Sequence, residues 1–153
     1  MKDFVPDVGR HIGVLVVEKM TGNARLPEKA SSGDLGYDLF SSEDRVLPPG
    51  LTTIIPTGIK LKFPAGFGGK IFDRSGVATK ENLEVRAGVI DNGYRGEIKI
   101  AMFNSNSFPV HVPAGKKIAQ MVPIELMFLY IEEGTVDSDT VRGENGFGST
   151  GTN

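Results

Sequence analysis

A chain of 153 residues, 39% hydrophobic and 24% charged, has the size and composition of one soluble globular domain and not of a disordered polymer. Its net charge of −2 argues against nucleic acid or anionic membrane as a broad electrostatic partner, so an anionic ligand must be held by a few placed Arg and Lys residues. The absence of cysteine excludes disulfides and thiolate metal sites, and the longest apolar runs, Ile12 to Val17 and Leu126 to Ile131, are too short to span a bilayer.

The segment MKDFVPDVGRH carries acidic residues and no long apolar stretch, so no secretory signal is expected. Ile12 to Val17 is apolar on both faces, the pattern of a central strand. Gly58 to Phe63 alternates, with Ile59 and Leu61 opposite Lys60 and Lys62. Lys70-Ile71-Phe72 reads as a strand, and Ser75 to Lys80 as one or two helical turns. Gly96 to Phe103 alternates again, with Ile98, Ile100 and Met102 opposite Glu97 and Lys99, and Lys117 to Ile124 reads as a further strand. Twenty glycines and nine prolines punctuate these short segments, as in an all-β sandwich or barrel. After Glu133 the chain turns to Gly, Ser, Thr, Asp and Asn, with Phe147 the one large apolar residue in the last dozen. Composition favours a disordered tail there; the sharper alternative is a lid that orders on a ligand, held by Phe147 and by the anion donors Arg142, Ser149 and Thr150.

Five polar and glycine-rich clusters carry candidate chemistry. Gly36-Tyr37-Asp38-Leu39, with Ser41 and Ser42 beyond, places an acid at a strand entry, where a capping role is the plain alternative. Arg74-Ser75-Gly76 follows a strand and opens a helical turn, so that backbone N–H groups, a guanidinium and a hydroxyl could hold phosphate. Ala87 to Gly96 (AGVIDNGYRG) flanks a turn with apolar stretches, which predicts a β-hairpin. Its main chain could read the edge of a base, Asp91 could hold a water as general base, and Tyr94 could pack under a sugar and leave no room for an extra hydroxyl. A structural hairpin with a solvated acid is as good a reading of that stretch alone. In Gly115 to Gln120 the lysine pair Lys116-Lys117 is expected to be a solvated edge, and the Gln120 amide could donate to phosphate. Arg142 to Gly151 joins a cation, an aromatic ring and glycine-flanked hydroxyls, as a clamp over a base and triphosphate requires. His11 and His111 lack a third partner at ligand spacing and are expected at the surface or at a β-edge.

In order, GYDL, RSG, AGVIDxxYRG, GxxIAQ and RGxxGFGSTG resemble the five motifs of the homotrimeric dUTP pyrophosphatases, from about Ser31 to Gly151. The resemblance implies a β jelly-roll subunit over residues 1–133, a flexible lid over 134–153, and a homotrimer whose active sites draw motifs from different subunits. It implies hydrolysis of dUTP to dUMP and pyrophosphate, with Asp91 activating the attacking water and Tyr94 stacking on deoxyribose. Main-chain atoms of Gly88, Val89, Ile90 and Lys99 would read uracil; Arg74, Ser75, Gly76 and Gln120 would hold phosphates. Phe147 would cover the base, Gly148 would allow close approach, and Arg142, Ser149 and Thr150 would meet the γ-phosphate. Asp38 would support the phosphate and metal arrangement at one remove. The implied cofactor is Mg²⁺, bound by substrate phosphates and water and by no direct protein ligand. A cytoplasmic location follows, or a nuclear one as well if the source is eukaryotic or viral.

Five positions depart from the family pattern: Asp73 before Arg74, Leu35 before Gly36, the Lys116-Lys117 pair, and Asn145 in the tail. Asp73 puts negative charge near a phosphate site. One alternative is a dCTP deaminase, which shares the fold but needs a glutamate where this chain has Ala101, and which lacks the GFGSTG tail. The other is a trimeric jelly-roll interaction protein without catalysis.

Overall fold

The computed structural model describes residues 13–144. Ten strands and one short helix follow one another along these residues. Strands β1 (Val16–Lys19), β4 (Thr52–Lys62), β6 (Leu83–Arg86) and β8 (Glu97–Asn104) form one sheet in the order β1-β4-β8-β6. Strands β2 (Tyr37–Phe40), β5 (Phe67–Phe72), β7 (Val89–Ile90) and β10 (Lys117–Glu125) form the second, in the order β2-β10-β5-β7. A separate pair joins β3 (Arg45–Leu47) to β9 (Val110–Val112), and every pairing is antiparallel. This is the eight-stranded, two-sheet sandwich of a jelly roll, as expected.

Alternation builds the core. Along β8, Ile98, Ile100 and Met102 are buried while Lys99 faces out; along β4, Ile59 and Leu61 are buried while Lys62 is exposed. They meet Leu39, Ile71, Ile118 and Met121 from the opposite sheet. The ladder between β4 and β8 shifts register between Pro56 and Lys60, where Gly58 adopts φ +68. There Gly58 N–H donates to Glu97 Oε1 at 3.0 Å, and the Thr57 hydroxyl donates to the Ile98 carbonyl at 2.5 Å, so the bulge leaves no polar group stranded.

Two expectations are corrected here. Among the described residues β1 is an edge strand, not a central one: it pairs only with β4, with Leu15 and Val17 against the core and Val14 and Val16 exposed. Continuous apolar residues reported two faces, and only one of them is covered by the described residues. The stretch from Ala87 to Gly96 is not a hairpin either. β7 pairs with β5 and β8 pairs with β4 and β6, so the turn carries the chain from one sheet to the other.

Regular structure among the described residues ends at Glu125. Leu126 N–H donates to the Gly66 carbonyl at 2.8 Å, and from Met127 to Ile131 the apolar side chains stand exposed. No helix among the described residues is long and apolar enough to cross a membrane.

Candidate active site

Two sharp main-chain turns make the first part of the site. Leaving β6, Ala87 takes φ +66 and Gly88 φ +108, which swings the chain from the first sheet to the second. A Cβ at Gly88 would sit 2.9 Å from the Ile71 carbonyl oxygen, so glycine is required by close approach as well as by φ. The corner is pinned by Ile71 N–H donating to the Gly88 carbonyl at 2.8 Å and Lys70 Nζ to the Ala87 carbonyl at 3.0 Å.

Between this corner and β8 opens a cavity of about 230 Å³, lined by residues that include Gly88, Val89, Ile90, Asp91, Tyr94 and Lys99. It is smaller than the roughly 300–1,000 Å³ typical of pockets that enclose a whole drug-sized ligand. A base and a sugar suit it; a triphosphate chain must lie outside. β7 is an edge strand with no described strand on its far side, which leaves main-chain donors and acceptors for a base edge. Ile90 is buried, while Asp91 and Tyr94 are exposed.

The turn after Asp91 closes by Tyr94 N–H donating to the Asp91 carbonyl at 3.0 Å. The Tyr94 hydroxyl donates to the Glu97 carbonyl at 3.0 Å, and a Cβ on Gly96 would overlap that hydroxyl. Gly96 thus lets the ring lie across the backbone. Arg95 Nη1 donates to the carbonyls of Asn92 and Tyr94 at 2.6 and 2.9 Å, and Asn92 Nδ2 donates to those of Pro64 and Phe67 at 2.9 and 2.6 Å.

The second part of the site lies across the second sheet, where Gln120 of β10 pairs with Asp38 of β2 on one side and Phe72 of β5 on the other. Arg74 follows β5 as the N-cap of helix α1 (Ser75–Glu81), with Ser75 exposed and Gly76 half-buried at its start. Arg74 Nε donates to Asp38 Oδ1 at 2.7 Å, and Lys117 Nζ donates to Asp38 Oδ2 at 2.9 Å and Glu28 Oε1 at 3.0 Å. These hydrogen bonds, first to Asp38 and then to Glu28, hold the Lys117 ammonium above the usual lysine value. Lys116 pairs with Glu81. The lysine pair is therefore not a solvated edge: each ammonium is matched to a carboxylate. Gln120 Nε2 donates to the Asp73 carbonyl at 2.8 Å, and Gly36 leaves room for its amide, since a Cβ there would overlap Oε1.

The guanidinium beside Asp73 is given to Asp38, and Asp73 has another partner. Its Oδ1 accepts Val85 N–H at 2.5 Å, tying β5 to β6. Ser41 and Ser42 are buried and donate to the carbonyls of Glu43 and Pro56, which is structural work. His111 is exposed on β9 and His11 lies outside the described residues. Among the described residues no group of three or more His, Asp or Glu side chains gathers to hold a metal. Arg142 is exposed in a turn closed by Gly143 N–H donating to the Thr140 carbonyl at 3.1 Å. Phe147, Gly148, Ser149, Thr150 and Asn145 lie outside the described residues.

The two parts stand apart. Ile90 pairs with Gly69, so Asp91 stands near the start of β5, and Arg74 follows its far end. At a strand rise of about 3.3 Å per residue, they are separated by about 20 Å. A larger, apolar cavity of about 440 Å³, lined by Leu15, Val17, Tyr37, Phe63 and Phe67 among others, contains no carboxylate or cation.

Sequence comparison matches residues 22–151 to the family model described as dUTPase. The deoxyuridine 5'-triphosphate nucleotidohydrolase of Clostridium novyi is 46% identical over 139 residues, covering 90% of this chain and 98% of that protein. The enzyme of the same name from avian adenovirus 8 is 42% identical over 137 residues, covering 90% and 84%. Among solved structures, a mutant dUTPase of Staphylococcus bacteriophage 80alpha with dUpNHpp superposes at TM-score 0.83 and 29% identity, covering 91% of this chain and 99% of that one. A mutant dUTPase of phage phi11 of S. aureus, described as revealing the coordination of a structural Mg(II) ion, gives TM-score 0.77 and 27% identity, covering 83% and 100%. With the match running through all five clusters on a shared jelly roll, the chain belongs to the dUTPase family.

Proposed function

We propose that this protein hydrolyses dUTP to dUMP and pyrophosphate, lowering dUTP and supplying dUMP for thymidylate synthesis. The observation that carries the reading is the narrow cavity at the corner between the sheets, with Asp91 and Tyr94 exposed beside it. Main-chain atoms of Gly88, Val89, Ile90 and Lys99 read uracil, and Tyr94 lies under the deoxyribose. A water held by Asp91 attacks the α-phosphorus in line: a P–O bond forms to the water oxygen, the bond to the bridging oxygen breaks, and Asp91 accepts a water proton. Pyrophosphate leaves, its growing charge met by Arg74 and Arg142 and by hydrogen bonds from Ser75, Gly76 and Gln120. The motif resemblance assigns Phe147 and Gly148 to the base and Ser149 and Thr150 to the terminal phosphate, all four outside the described residues.

Mg²⁺ fits here as an ion held by substrate phosphates and water, since no protein cage gathers among the described residues and a hard ion that keeps its waters needs none. When bound it supplies charge neutralisation on the phosphate oxygens.

The active assembly is a homotrimer with shared sites. The separation of about 20 Å between Asp91 and Arg74, reckoned from strand rise, is too great for one subunit to place both on one α-phosphate. The exposed run Met127 to Ile131 supplies apolar surface for contact between subunits. A deaminase reading needs an acid at Ala101, whose methyl borders the cavity instead.

The experiment is pyrophosphate release from dUTP with Mg²⁺, run beside Asp91→Asn. Turnover by the wild type and loss in the variant is the expected result. No turnover, or full turnover by the variant, sinks the mechanism.

A further inference from the structure

Asn92 follows the candidate base directly, yet its side chain turns away from the cavity. Its Nδ2 spends both hydrogens on main-chain oxygens of one turn, the Pro64 carbonyl at 2.9 Å and the Phe67 carbonyl at 2.6 Å. That turn joins β4 to β5 and is itself closed by Phe67 N–H donating to the Pro64 carbonyl at 3.2 Å, with Gly66 at φ +81. Two carbonyls presented to one amide form a fork that a primary amide fills and that a carboxylate or hydroxyl cannot fill in the same way.

Among the described residues the rest of the loop has one other side-chain tie to the body of the fold, and it serves Tyr94 and not Asp91. Before Asp91, the Ile90–Gly69 pairing fixes the chain. After it, the Tyr94 N–H bond to Asp91 and both Arg95 bonds lie within residues 91–95, so they shape the turn without locating it. The Tyr94 hydroxyl bond to Glu97 reaches only to the start of β8. Asn92 is the link from the turn to β5's opening residues, and it acts one residue from the carboxylate. The same turn also receives the chain's C-terminal arm, through Leu126 N–H to the Gly66 carbonyl at 2.8 Å.

We propose that Asn92 is a positioning residue: its amide, clamped on the Pro64 and Phe67 carbonyls, fixes the Asp91 carboxylate at the place where it must hold the attacking water. The inference rests on the role of Asp91 given above. Misplacement by about 1 Å costs on the order of a hundredfold in rate when geometry carries the catalysis. Substrate binding depends less on this fork, because Tyr94 is held separately by its hydroxyl bond to Glu97, and the rest of the cavity wall and the distant phosphate groups lie outside residues 91–95.

The test uses the full-length protein with Asn92→Ala, which empties the fork, and Asn92→Asp, which faces two carbonyls with a carboxylate. Steady-state pyrophosphate release from dUTP gives kcat and KM, and titration with dUpNHpp gives the number and affinity of competent sites. Expected is a fall in kcat per titrated site of about tenfold to a hundredfold, larger in Asn92→Asp, with KM and dUpNHpp affinity within about threefold of wild type. Unchanged kcat overturns the proposal. So does an activity loss that merely tracks fewer titratable sites, since that marks a folding role. Wild-type protein that releases no pyrophosphate overturns the reading of the site instead.

Discussion

Arg74 donates from Nε to Oδ1 of Asp38 at 2.7 Å, and Asp38 is almost wholly buried beneath it. The bond uses the inner nitrogen of the guanidinium, so the outer two remain for phosphate while the aspartate sets the plane of the group. With Arg74 on the phosphates as proposed, Asp38 acts on substrate through Arg74. Asp38→Asn should raise KM for dUTP by about tenfold, the loss of one charge-assisted hydrogen bond, with a smaller effect on kcat. Steady-state kinetics check it; an unchanged KM removes Asp38 from the phosphate site.

Lys117 completes that pairing and gives it a pH dependence. Its folded value is raised, so the folded state holds the proton more tightly than the unfolded chain does. The stabilisation is fully present below the unfolded lysine value of about 10.4 and is lost as pH rises through the higher folded value. Melting temperatures of wild type and Lys117→Met should differ at pH 8 and converge in strongly alkaline buffer. A constant gap across that range contradicts the assignment.

Asp73 tests whether a departure from the family pattern weakens phosphate binding. Its carboxylate is engaged by Val85 N–H, so the side chain serves β6. Asp73→Asn keeps an acceptor and should melt close to wild type with KM little changed. Asp73→Ala leaves a peptide N–H unpaired and should cost about 1–3 kcal/mol in denaturant unfolding.

If Tyr94 excludes the ribose hydroxyl as proposed, Gly96 governs that selection by leaving room for the ring. Gly96→Ala forces the ring from its place across the backbone. The ratio of kcat/KM for dUTP over UTP should fall about tenfold or more, because the excluding surface moves. An unchanged ratio would show that Tyr94 does not exclude the ribose hydroxyl.

What could be read from the chain, and what could not, divides along range. Ile59 and Leu61, or Ile98, Ile100 and Met102, announce strands because a period of two against one core is written locally. The short helix from Ser75 was legible from its own local stretch, Ser75 to Lys80, without distant partners. The corner at Ala87–Gly88 was not, since apolar residues around a glycine-bearing turn serve a hairpin and a crossing between sheets equally. Pairing of Ile90 with Gly69 and of Lys99 with Pro56 decides between them, and both are distant in sequence. The Lys117 contacts with Asp38 and Glu28 arise from pairing of β2 with β10, which no local pattern encodes. Asn92-Gly93 signalled a turn, but nothing in the sequence says where its amide reaches.

The central claim is that the corner cavity selects deoxyuridine and that Asp91 drives release of pyrophosphate. A panel of dUTP, UTP, dCTP and dTTP with Mg²⁺, assayed for pyrophosphate and for ammonia, tests it most directly. Expected are pyrophosphate from dUTP far ahead of the other three, no ammonia, and loss of turnover by about a hundredfold or more in Asp91→Asn. Ammonia from dCTP, or equal turnover of dUTP and UTP, would contradict it.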